Sequence, residues 1–308
     1  MKKIIFFIFT FLLSMAPCSA ETQRGVELLN QGNYQAAEQY FKSEADKGDV
    51  HARYWQANAM FLQRGEKAFA AGQIMLQAAK KGDPWAMNRL DPSNNESPCG
   101  MFGWPCDSKW LDKALATWKK QAKQGDGNAE LALLLRDRPW YMSFIPVLGK
   151  KMYADKLIDA FKNGSDYAAF KILHTDIDNP YKYIKKLAIK GNCEAMYDYG
   201  SQFSVDNPAY LDWMKKATKC GYKNAAISAG IVFNKMKKYE KAYFYSYIAV
   251  YLGDNPTAID PRWIKWVKDI PQGKIDELKS YADNYINENN IKPNKNYSEF
   301  SEEFFGIY

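Results

Sequence analysis

The 308-residue chain is poor in the residue types that most catalytic and metal centres need. It has two histidines, His51 and His174, and five cysteines, none in a Cys-x-x-Cys pair. Zinc sites of the common kinds draw on cysteine and histidine at fixed spacings, and redox motifs on closely spaced cysteines. His174-Thr175-Asp176-Ile177-Asp178 is the one cluster of ligand types. It reads as a helix end followed by a capping turn rather than as a metal site. No Gly-rich phosphate loop occurs. Ala226-Ile227-Ser228-Ala229-Gly230 lacks the first glycine of a nucleophile elbow and falls inside a helical pattern. The residues therefore point to no catalytic group, cofactor or metal. A dense basic tract is also missing: the formal charge of +7 is spread along the chain, which argues against nucleic acid.

Long apolar runs are confined to the start. Met1-Lys2-Lys3 is followed by an apolar stretch from Ile4 to Leu13 and then by Pro17-Cys18-Ser19-Ala20. A basic start, a short apolar run and a small-x-small end describe a secretory signal peptide, with cleavage expected after Ala20. Acylation at Cys18 is the weaker alternative, because Met15-Ala16-Pro17 matches a lipoprotein signal poorly. The run is too short to span a bilayer, which takes about 20 apolar residues, and no later segment does better. The mature chain is expected to be periplasmic or secreted, without a transmembrane segment, and to carry four cysteines: Cys99, Cys106, Cys193 and Cys220. An even number in an exported chain suggests two disulfides, and four cysteines allow three pairings.

What is present is a repeat. A helical pattern, a glycine and an alanine four residues later recur at Gly48/Ala52, Gly82/Ala86, Gly125/Ala129, Gly164/Ala168, Gly191/Ala195 and Gly221/Ala225. The glycine spacings of 34, 43, 39, 27 and 30 residues imply a constant turn with loops of varying length elsewhere. Basic residues such as Lys80-Lys81 suit the negative end of a helix, and the glycine suits a left-handed cap. Asp49, Asp83, Asp126 and Asn192 follow the glycine and suit the cap of the next helix. The alanine then falls inside that helix, where a small side chain lets neighbours approach. Asp-Asn-Pro at 178–180, 206–208 and 254–256 marks the opposite turn, with proline at the first helical position. The unit is thus a helical hairpin, clearest over 192–203 with 208–220. Such units bury their apolar faces only by stacking into a solenoid.

The strings Ala78-Ala79-Lys80-Lys81-Gly82-Asp83-Pro84-Trp85-Ala86 and Leu187-Ala188-Ile189-Lys190-Gly191-Asn192-Cys193-Glu194-Ala195 resemble the Sel-1-like repeat, a relative of the tetratricopeptide repeat. The resemblance covers roughly Gly25 to Leu252. It departs from the family pattern in repeat length, and in a degraded Leu-Gly-x-x-Tyr core of which Tyr199-Gly200 is a remnant. It implies an all-α, right-handed α-α superhelical solenoid of about six to seven hairpins over 21–255, with capping helices over 256–290 and a flexible tail over 291–308. In that frame Cys193 and Cys220 fall at neighbouring ends of one hairpin, as in bridged hairpins of exported family members. Cys99 and Cys106 flank a loop that they can close. The expected pairs are therefore 99–106 and 193–220.

The same resemblance implies a monomeric scaffold that binds another protein, whether a toxin, an envelope protein or a host protein. The sharpest form is an immunity protein that neutralises a periplasm-targeted toxin such as a phospholipase effector. An envelope or host-interaction adaptor is the alternative, and a cell-wall hydrolase is a distant third. Two insertions interrupt the repeat and carry aromatic residues on irregular backbone, where interface anchors concentrate. Phe102 and Trp104 lie in the first; Trp140, Tyr141 and Phe144 lie in the second. These five are the candidate contact residues, although residues of this type also fold back to plug a core.

Overall fold

A computed structural model describes residues 20–94, 98–140, 142, 146–260 and 264–301. Residues 1–19 of the expected signal peptide, Tyr141, Phe144, Trp263 and the last seven residues lie outside that set. The described residues form helices and no strand. In order these are α1 Ala20–Asn30, α2 Tyr34–Asp46, α3 Val50–Leu62, α4 Gly65–Lys80, α5 Pro84–Arg89, the single turn α6 Cys99–Phe102, α7 Lys109–Ala122, α8 Gly127–Arg136, α9 Pro146–Lys162, α10 Asp166–Ile172, α11 Tyr181–Ile189, α12 Cys193–Ser201, α13 Pro208–Lys219, α14 Lys223–Lys235 and α15 Tyr239–Tyr251. Two 3-10 turns, Pro256–Ile259 and Lys265–Asp269, lead to α16, Gln272–Glu288.

One turn geometry repeats through the stack. Gly48, Gly82, Gly125, Gly164, Gly191 and Gly221 all have φ between 85° and 108°. At each, the glycine N–H donates to the carbonyl three residues back, and the next N–H donates to the carbonyl five residues before itself, as from Asp83 to Ala78 and from Asn192 to Leu187. This is the left-handed cap that closes a helix by satisfying its last carbonyls; a side chain at that φ would be strained. The next helix starts at once. Asp49, Asp83, Asp126 and Asn192 accept from the backbone N–H of Ala52, Ala86, Ala129 and Ala195.

The turns at Ala168 and Ala225 are less uniform than the shared spacing implies. The residues that follow Gly164 and Gly221 are Ser165 and Tyr222, and neither side chain caps its helix. The N–H groups of Ala168 and Ala225 donate instead to the backbone carbonyls of Ser165 and Tyr222, each at 3.2 Å. A tyrosine hydroxyl sits too far from its own backbone to cap. The Ser165 hydroxyl is buried and has no hydrogen-bond partner among the described residues. Ala168 and Ala225 thus keep the packing role of the repeat alanine without the side-chain cap. All six repeat alanines, Ala52, Ala86, Ala129, Ala168, Ala195 and Ala225, are buried, so the helices that follow the glycine approach their neighbours closely there.

The two helices of a hairpin differ in burial. The helix after the glycine is enclosed: α3 buries every residue from Tyr54 to Leu62. The helix before it is amphipathic: α7 buries only Ala114 and Trp118 and shows lysines to solvent. Three cores follow along the chain. One is built from α1–α8 around Phe41, Trp55 and Trp118; one from α8–α12 around Leu157 and Leu187; one from α13–α16 around Ala226 and Ile248. A smaller cluster of Tyr243, Val267, Ile270, Ile275 and Leu278 closes the C-terminal end, with Trp266 stacked on Tyr239.

The Asp-Asn-Pro turns are not alike. Asn207 and Asn255 cap their turns by accepting from Ala209 and Thr257, but Pro256 opens only a 3-10 turn. Asn179 instead adopts φ 52°, and α11 begins after Pro180. An asparagine tolerates that left-handed state because its short side chain bonds locally.

The larger correction concerns the tail. Residues 291–301 are not free. They run back from the last hairpins to the first and touch all three cores: Ile291 in the C-terminal one, Tyr297 in the N-terminal one, and Phe300 between the N-terminal and central ones. Apolar side chains at 291, 297 and 300 give this polar segment enough burial to dock. Ser301 is its last described residue.

Candidate partner-binding surfaces

The first insertion leaves α5 and is closed by the Cys99–Cys106 disulfide. Its tryptophan is not presented to a partner. Trp104 is 5% exposed and lies in a notch on α4. Gly72 forms the floor of that notch, and a Cβ there would come within 2.7 Å of the indole. The Trp104 N–H donates to Ala68 O at 2.8 Å, and Phe61 packs edge-on to the ring at 5.6 Å. The polar end of the indole is paired and its body is dry, so Trp104 is a core residue. Phe102 is half-buried against Phe61 and Phe69. The exposed apolar groups of this region are Phe69 and Met101, 57% and 61% exposed. The small-residue face Ala68-x-x-Ala71-Gly72 is the sequence signal that could have found the notch.

The second insertion behaves differently. Met142 turns inward, and its carbonyl sits where a Cβ on Gly149 would have to be. Trp140 stays outside at 73% exposure, with Leu148 of α9 also exposed nearby in sequence. Of the five aromatic candidates, Trp140 is the described one that lies fully at the surface.

The remaining surface is the one crossed by residues 291–301, called the hollow for the slot that this segment occupies between the hairpins. Ile291 O accepts from the Tyr251 hydroxyl, and Asn294 N–H donates to Gly221 O at 3.0 Å. The Asn294 amide reaches Cys193 Sγ, and the Asn296 amide donates to Glu194. Lys295 N–H donates to Asn30 O, and Tyr297 N–H to Asn30 Oδ1 at 2.6 Å. Glu299 meets His51, and Phe300 stacks on Tyr167 at 5.0 Å and meets the edge of Trp85 at 4.9 Å. Most of these partners lie at the starts of the post-glycine helices. The glycine turn that stacks the hairpins therefore also lines up their N-terminal ends under the segment.

His51, at the start of α3, is held between two carboxylates. Its Nδ1 is 2.8 Å from Asp83 and its Nε2 is 3.3 Å from Glu299, while Tyr54 stacks on the ring. Burial alone would lower the imidazole's pKa. The Asp83 carboxylate, then Glu299, outweigh it and hold it well above the usual histidine range. Burial would likewise raise Glu299, and His51 overcomes it and holds the carboxyl below its usual range. Trp55 Nε1 also lies 3.0 Å from Nε2, where it can donate only to a neutral ring. With a carboxylate beside each nitrogen the charged form of the ring is favoured. Further along, burial and then the neighbouring Glu194 push Asp198 up to about 7.

Beside Phe300 lies a cavity of about 200 Å³, lined among others by Trp85, Trp118, Arg136, Tyr167, Glu299 and Phe300. Among the described residues, three buried polar atoms of its lining have no hydrogen-bond partner: Trp118 Nε1, Arg136 Nε and Asn88 Oδ1. Among the described residues no group of His, Cys, Asp and Glu is arranged to hold a metal ion; Asp176 of the His174 cluster pairs with Lys150.

No family model matches the chain, and no curated protein matches it. Solved structures do. A protective antigen of uropathogenic Escherichia coli displaying an SLR fold shares 16% identity at TM-score 0.48, over 86% of this chain and 60% of that one. A Sel1 repeat protein from Oxalobacter formigenes shares 17% identity at TM-score 0.39, over 85% and 99%. An immunity protein from Pseudomonas aeruginosa shares 16% identity at TM-score 0.36, over 80% and 84%. The described residues form an all-α stack of helical hairpins closed by left-handed glycine caps, and these structures are what it is similar to. The chain spans about 60% of the length of the E. coli antigen, and at these identities the likeness concerns fold alone. The second disulfide, Cys193–Cys220, ties α12 to the end of α13 within one such repeat. Two disulfides suit an oxidising compartment, and no described helix is long and apolar enough to cross a membrane.

Proposed function

We propose that this chain is an exported scaffold that binds another protein. One observation carries the reading: the hollow already holds an extended polypeptide. The segment 291–301 is gripped through backbone groups at Asn30 and Gly221 and through side chains at Tyr34, His51, Trp85 and Tyr167. These groups recognise a peptide chain as such: donors and acceptors for its backbone, aromatic rings for its side chains. The exposed Trp140 adds a second contact point of the kind that anchors interfaces.

The finer reading is an immunity protein for a toxin delivered into the periplasm, such as a phospholipase effector. It rests on the family resemblance and on the expected export signal. Affinity capture from envelope extracts with the full chain tests the broad reading, compared with Trp140→Ala and Trp85→Ala variants of unchanged helicity. A partner retained by wild type and lost by either variant supports it; identical protein profiles for all three contradict it. For the finer reading, expression of the chain should protect cells against a toxin encoded beside it, and unchanged killing would reject it.

A further inference from the structure

The described end of the C-terminal segment, residues 297–301, fills its slot incompletely. Phe300 takes an aromatic cleft between Tyr167 and Trp85, and Trp85 in turn packs edge-on to Trp118 at 5.1 Å. Glu299 takes the second nitrogen of His51, whose first is held by Asp83. Yet the cavity of about 200 Å³ remains directly beside them. Among the described residues its fully buried Trp118 finds no partner for the indole N–H, and neither do Arg136 Nε and Asn88 Oδ1. A buried donor left without a partner is costly, so a permanent closing element would be expected to satisfy it. Ser298 and Ser301 spend their hydroxyls on each other and on the segment's own backbone, not on the cavity.

We propose that residues 297–301 are a displaceable intramolecular ligand, and that their slot accepts an extended partner segment presenting a carboxylate followed by an aromatic residue. The occupant is defined by the one already seated: a carboxylate for His51, then a ring for the Trp85–Tyr167 cleft. A partner with further polar groups next to its aromatic residue would also reach Trp118, Arg136 and Asn88. The inference rests on the protein-binding reading and specifies its chemistry. A tethered competitor acts at an effective concentration in the millimolar range, so the slot is masked against weak ligands until the tether is outcompeted.

The test uses the full chain and one probe, a fluorescein-labelled peptide Asn-Tyr-Ser-Glu-Phe-Ser matching residues 296–301, followed by fluorescence anisotropy. Phe300→Ala removes the internal competitor's anchor and should bind the probe at least tenfold more tightly than wild type. Adding Trp85→Ala should abolish that gain, as should a probe with alanine in place of its phenylalanine. Glu299→Gln, which leaves the apolar core intact, should give a smaller gain in the same direction and covers the case in which Phe300→Ala folds poorly. Equal probe binding by wild type and both variants overturns the proposal. So does a concentration-dependent dimer of wild type by sedimentation that Phe300→Ala dissolves, because a second copy would then be the occupant. If envelope capture works through Trp140 while the probe gains nothing, this inference fails and the protein-binding reading stands.

Discussion

The two insertions look alike in sequence and end differently in the fold. Each interrupts the repeat with a proline-flanked aromatic run. The first drives Trp104 into α4; the second leaves Trp140 outside. The difference is the receiving surface. Trp104 has a glycine floor at Gly72, a carbonyl at Ala68 for its N–H, and a disulfide that holds the loop in place. At the second insertion Gly149 is filled by the Met142 backbone, and Trp140 is left at the surface. An aromatic residue on a loop becomes core or contact according to whether a neighbouring helix supplies a notch with the right hydrogen-bond partner.

Removing the plug should produce the largest effect. Trp104→Ala is expected to cost about 3–5 kcal/mol, read as a lower urea midpoint at unchanged slope. Filling the notch comes next. Gly72→Ala places a Cβ 2.7 Å from the indole and should destabilise by roughly 1–3 kcal/mol, despite the gain of about 1 kcal/mol in helix propensity. A stabilised Gly72→Ala protein would show that Trp104 does not need the notch. Trp140→Ala should change stability by no more than about 0.5 kcal/mol while abolishing partner capture. A large stability loss there would make the two insertions equivalent after all.

The pH response should be smaller and should separate the docked segment from both insertions. His51 is raised in the folded state, so its contribution is complete below about 6.5 and is lost as pH rises through the raised value. Glu299 is lowered, so its contribution is present above about 4.5 and is lost as pH falls through its folded value. The groups facing His51 are Asp83, Glu299, Tyr54 and Trp55. Urea midpoints of wild type should therefore fall as pH rises above about 6.5, and His51→Gln should flatten that fall. Equal slopes in the two proteins would mean that His51 does not fasten the segment.

The turns were legible because they are local. A glycine cap, its acidic or asparagine successor and an alanine one turn on lie within five residues, and their physical chemistry needs no distant partner. Where the successor is Ser165 or Tyr222 the glycine and the buried alanine persist without the side-chain cap, so the spacing carried more of the signal than the capping residue did. The disulfides were legible once the hairpin frame was set. Trp104 was not, because the carbonyl that receives it, on Ala68, lies 36 positions earlier, and an alanine-glycine face there reads as ordinary helix packing. The docking of 291–301 was least legible. Tyr297 meets Asn30 across a sequence separation of 267, and a polar segment with three scattered apolar residues has no periodicity to mark its role. The setting of His51 was hidden for the same reason: from its place at a helix start it reads as an ordinary surface or cap residue, and one of its two carboxylates lies 248 positions further on.

Amide hydrogen exchange across residues 291–301 of the wild-type chain at neutral pH tests the occupied hollow most directly. The docked geometry predicts slowed exchange at Asn294, Lys295 and Tyr297, whose N–H groups donate to Gly221 and Asn30, with protection lost in Phe300→Ala. Exchange at the rate of an unstructured peptide in wild type would contradict the docking, and with it the peptide-binding reading of the hollow.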